Sequence, residues 1–134
     1  MRLVRPLTAA VGALAIVLLL AACGGGDEGH EHGEGNAKVA PGARVIEVDA
    51  SSFEFDPDTI TIDAGEDVAI ELKSSDAFHD FEVRGSEHAG HVVGANSGDT
   101  AKGGLMIDKP GRYEFFCSVS GHENAGMKGT LVVR

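Results

Sequence analysis

The chain is short of positive charge, long apolar runs and cysteine, and each shortage removes a class of function. Lysine and arginine total 11 against 21 acidic residues, a net charge of -10. A surface that acidic repels phosphate backbones, so a nucleic-acid partner is excluded. At 134 residues there is room for one folded domain and no more, which excludes multi-domain enzymes. Gly-x-Ser-x-Gly, His-Glu-x-x-His and a phosphate-binding glycine loop are all missing. Tryptophan is absent and tyrosine occurs once, yet the 43% hydrophobic content exceeds that of disordered chains.

No apolar run reaches the ~20 residues of a spanning helix; the longest, Leu7 to Ala22, has 16. With Arg2 and Arg5 before it, residues 1–22 read as a cleaved export signal. Its end, Leu20-Ala21-Ala22-Cys23, resembles the lipobox of bacterial lipoproteins, which implies a lipidated Cys23 and a domain anchored at the extracytoplasmic face of the membrane. The alternative is an ordinary secretory signal with an incidental Cys23. Cleavage before Cys23 leaves nine bases against 21 acids, a charge of -12. Cys117 is then an odd thiol in an oxidising compartment, and metal ligation is a reason for one.

Residues 23–40 are Gly-rich and acidic, and read as a flexible linker reaching roughly 20 to 25 Å. His30 and His32 within it form a tract able to bind transition metals weakly; a solvated linker is the plainer reading. From residue 41 to 134 the hydrophobic period is 2. Ile46, Val48 and Ala50 alternate with Glu47 and Asp49, and Val68, Ile70 and Leu72 with Ala69 and Glu71. Turn signals fall at Asp56-Pro57-Asp58, Ala64-Gly65-Glu66-Asp67 and Lys109-Pro110-Gly111. Seven to eight short strands without a helical stretch predict an all-β Greek-key sandwich. The stretch Arg84 to Lys102 reads as a solvated connection, with His88 and His91 as an alternative His-x2-His metal pair.

The informative segment runs from Phe115 to Met127. Tyr113, Phe115 and Cys117 share a strand face, which directs the Cys117 sulfur inward. A buried inert thiol would also fit. The loop, however, adds His122 five residues later and Met127 ten residues later, and thiolate, imidazole and thioether are the ligand types that soft copper selects. A trigonal copper site needs a second imidazole, and His79 supplies it from a strand whose inward face also carries Phe81 and Val83.

On these residues the chain resembles a cupredoxin, the small blue copper protein fold. Asp76-Ala77-Phe78-His79-Asp80-Phe81 is similar to that family's first ligand segment, and Cys117-x4-His122-x4-Met127 to its ligand loop, with a spacing closest to rusticyanin-like members. Phe53 to Pro57 and Gly111 to Phe115 look like framework segments. The resemblance implies one copper ion cycling between Cu(I) and Cu(II), held by His79, Cys117 and His122 with Met127 as a distant axial ligand. It implies a monomer that carries electrons to redox partner proteins and is not an enzyme. Ser74 or Ser75 and Asp80 stand where many members have Asn, which bears on the reduction potential. A binuclear site needs a second loop cysteine, and Ser118 to Gly121 offers none. The rival function is a non-redox copper buffer or delivery protein aided by His30, His32, His88 and His91.

Overall fold

A computed structural model describes residues 36–85 and 90–134. The leader, Cys23, His30, His32 and His88 lie outside the described residues. Nine strands are present among those described, and no helix. They are β1 (Arg44–Ser51), β2 (Glu54–Asp56), β3 (Thr59–Ile62), β4 (Val68–Ser74), β5 (His79–Arg84), β6 (Gly90–Ala95), β7 (Thr100–Leu105), β8 (Gly111–Phe116) and β9 (Lys128–Val133). A four-stranded sheet has the order β2-β1-β4-β7 and a five-stranded sheet the order β3-β9-β8-β5-β6. β1 with β4 and β3 with β9 run parallel, and the other ladders are antiparallel.

The alternating pattern does what period 2 requires: Val48 and Ala50 of β1, and Ile60 and Ile62 of β3, point into the layer between the sheets. Three phenylalanines fill its centre. Phe81 and Phe115 stack with centroids 4.5 Å apart, and Phe55 meets them edge-on at 5.8 and 5.4 Å. Each ring removed from water contributes about 1.5–3 kcal/mol, and offset and edge contacts add to that. The packing leaves no room for a side chain at Gly129, where a Cβ would lie 2.2 Å from Phe115 Cζ and 2.3 Å from the Asp58 carbonyl oxygen.

Three expectations are corrected. The stretch Arg84 to Lys102 is not a solvated connection, because it contains β6 and the start of β7. Its strand character was masked by two glycines and by the adjacent Val92 and Val93, both buried, which break the alternation. Part of the cause is an irregularity in the β5–β6 ladder between Phe81 and Glu82. Together with the three-residue β2, this raises the strand count above the seven to eight expected. The last residues of the expected linker also belong to the sandwich: Ala37 N–H donates to Val92 O at 2.9 Å, Gly104 N–H to Ala37 O at 2.9 Å, and Gly94 N–H to Asn36 Oδ1 at 2.9 Å.

Candidate metal centre

β5 opens with His79 and β8 closes one residue before Cys117, so both side chains stand at the same end of the sandwich. Both are fully buried. The loop from Cys117 to Met127 is pinned at its base. Cys117 N–H donates to Met127 O at 3.1 Å, and Met127 N–H donates to His122 O at 3.0 Å. One further bond, His122 N–H to Val119 O at 2.9 Å, curls the loop back over Cys117.

This folding brings three of the four expected ligands face to face. Cys117 Sγ lies 3.9 Å from His79 Nδ1 and 3.5 Å from His122 Nδ1, and one ligand atom from each of the three residues falls within 4.8 Å of the others. First-row metal bonds to nitrogen and thiolate are about 2.0 to 2.3 Å, so one ion spans these separations at angles of roughly 110° to 130°. The donor set therefore fits a single copper ion. Met127, the fourth, is fully buried at the foot of the loop, with its backbone bonded to both Cys117 and His122. His88 lies outside the described residues, and His91 is on β6 rather than in a solvated loop.

The thiol is tuned by opposing influences. Burial pushes the Cys117 pKa up to about 11, while hydrogen bonds from the Asp80 and Val119 backbone N–H groups favour the thiolate. Without metal the sulfur keeps its proton at neutral pH; a coordinating ion takes the proton's place.

Two supporting residues fall in segments that carry the resemblance, but no role was expected of either. Asp76 Oδ1 lies 2.9 Å from His79 Nε2, so that nitrogen donates and Nδ1 is left as an acceptor facing the sulfur. That bond, with another from Ser52 N–H at 3.0 Å, holds the Asp76 carboxyl at about 2, well below its usual range. Its place three residues before His79, at the head of the first ligand segment, was the sequence signal for it. Phe53, 46% exposed, sets its ring edge-on to His122 with centroids 5.0 Å apart. Asp80 does more than occupy an asparagine's place: Ser118 N–H donates to its Oδ1 at 2.6 Å and Ser118 Oγ to its Oδ2, tying β5 to the residue after Cys117.

A β-sandwich with a buried thiolate and two imidazoles at one end defines a class of copper-binding proteins. The Cupredoxin-like domain matches residues 12–133, and the chain belongs to that family. It is 28% identical to the "Copper-resistant cuproprotein CopI" of Rubrivivax gelatinosus over 167 residues, covering 99% of this chain and 98% of that protein. It is 27% identical over 100 residues to "Cytochrome c oxidase subunit 2" of Thermus thermophilus, covering 72% of this chain and 70% of the relative. Among solved structures, auracyanin B shares the fold with a TM-score of 0.64 at 21% identity, over 74% of this chain and 94% of its own.

Proposed function

We propose that this protein is a mononuclear type 1 copper carrier of single electrons, held at the extracytoplasmic face of a membrane by a lipid on Cys23. His79, Cys117 and His122 are its ligands and Met127 its weak axial neighbour. The observation that carries the reading is the pair of imidazole nitrogens 3.9 and 3.5 Å from one buried sulfur. Copper bound there supplies a one-electron couple between Cu(I) and Cu(II).

The chain's own contribution is rigidity and dryness. His79 is fixed by its strand and by Asp76, and Cys117 by the Met127 carbonyl and the Asp80–Ser118 bridge, so the ligand frame resists rearrangement when the charge changes. His122 is half-buried and surrounded by the exposed Ser120, Gly121, Ala125 and Gly126, so its outer edge is the port through which a redox partner exchanges electrons. The chain carries none of the catalytic motifs sought, and the carrier reading assigns it no enzymatic turnover.

The likeness to a protein named for copper resistance favours a second reading, copper buffering or delivery without redox duty, with His30 and His32 feeding the site. Loading the domain with Cu(II) tests the first: an intense visible sulfur-to-copper charge-transfer band is expected, and Cys117→Ser abolishes it. A colourless, copper-loaded wild type overturns the blue-site reading. Replacing His30 and His32 separates the two functions, since delivery falls only if those residues feed the site.

A further inference from the structure

Asp80 and Glu82 lie on the face of β5 opposite His79 and Phe81, and Glu82 is the cross-strand partner of His91 on β6. One ligand atom from each of Asp80, Glu82 and His91 falls within 4.8 Å of the others. We propose that these three side chains form a second metal site, for a divalent ion of the zinc or copper(II) type, distinct from the thiolate centre.

The decisive observation is His91. Its side chain is only 9% exposed, yet its nearest polar partner is Glu82 Oε1, 4.0 Å from Nδ1, beyond hydrogen-bond reach. A buried imidazole with no hydrogen bond is costly, and this one has an oxygen of each of two carboxylates within 4.8 Å of a ring nitrogen. Gly94 stands opposite Asp80 in the ladder, where a Cβ would crowd the Phe78 ring at 2.9 Å from Cζ and touch His91 Cε1 at an ordinary 3.5 Å.

Charge points the same way. Arg84, next along this face of β5, is engaged by Glu114 and Glu123, and no lysine or arginine among the described residues pairs with Asp80 or Glu82. Two adjacent carboxylates beside an imidazole are matched by a divalent cation. One nitrogen and two oxygens, with Glu82 a quarter exposed as the way in, suit a four-coordinate ion that keeps a water. Copper(II) follows as the tighter of the two ions for nitrogen and oxygen donors. Asp80 also serves Ser118 with both oxygens, but a carboxylate has about four acceptor positions, so the two roles are compatible.

Zinc(II) is the probe, since it does not change oxidation state. The full chain, loaded with one equivalent of copper, is titrated with zinc and the retained zinc is measured by elemental analysis after gel filtration. One zinc per chain is expected. His91→Gln and the more exposed Glu82→Gln are each expected to weaken zinc binding at least about tenfold, because even outer partners of a ligand are worth 10- to 100-fold. Retained secondary structure and melting temperature show that each variant is folded. The zinc equivalent is expected to persist in a His30→Ala, His32→Ala double variant. Zinc binding that disappears in that double variant, or that is unchanged in His91→Gln and in Glu82→Gln, overturns the proposal. Failure of copper loading with zinc retained would count against the electron carrier alone.

Discussion

Asp76 offers a sharp test of how the copper ligands are held, because it reaches no expected ligand except through His79. In Asp76→Ala the buried His79 Nε2–H loses its acceptor, 2.9 Å away, and the Ser52 N–H loses its own at 3.0 Å. The imidazole is then free to change tautomer, which puts a proton on Nδ1, or to turn its ring, which moves Nδ1 away from the sulfur; either removes Nδ1 as a ligand. Outer partners of metal-bound histidines are worth 10- to 100-fold in affinity, and the complete burial of His79 denies it water as a substitute acceptor, which places Asp76→Ala in the upper half of that range. Asp76→Asn, whose side-chain oxygen still accepts, is expected to lose less than tenfold. Competition against a chelator of known copper affinity measures both. The bond also sets an acid limit. Because the folded carboxyl titrates near 2, below the ordinary aspartate value of 3.8, its contribution is complete above the unfolded value and is lost as pH falls through about 2. Copper affinity in Asp76→Ala within twofold of wild type would refute the claim that this carboxylate positions His79.

Four further outcomes are expected. Met127→Leu retains copper and colour but shifts the reduction potential in cyclic voltammetry, whereas complete loss of copper would show that the thioether is a main ligand. Ala125→Glu leaves the visible spectrum unchanged and slows electron exchange in stopped-flow mixing, with a dependence on salt, because it adds charge and bulk at the port. Gly129→Ala forces a Cβ against Phe115 and the Asp58 carbonyl and is expected to cost about 1–3 kcal/mol or more, read from the urea midpoint. Cys23→Ala releases the protein from the membrane fraction with its copper site intact; a cleaved variant that stays bound would dispose of the lipid anchor.

What could be read from the residues was local. Alternation exposed β1 and β4, and the intervals between Cys117, His122 and Met127 lie within one loop. His79 was legible because an inward imidazole flanked by Phe81 and Val83 stands out on a strand face. The missed features depend on contacts between distant segments or on register. Asp80 and Ser118 are 38 positions apart. His91 opposes Glu82 only because the ladder slips between Phe81 and Glu82, and no period in either strand encodes that slip. Asp76 stood in the ligand segment without a role, because its bond to His79 depends on how the turn before β5 sets the two side chains.

The pinned loop also governs how copper and folding are linked. Cys117, His122 and Met127 are close in sequence, so an unfolded chain can offer them to a metal together. His79 is 38 positions away from Cys117 and joins only when β5 pairs with β8. Stabilisation by a ligand depends on the difference between its affinities for the folded and unfolded states. The gain in melting temperature on adding copper is thus a measure of what His79 contributes, and a His79 variant can still capture the metal while losing most of that gain.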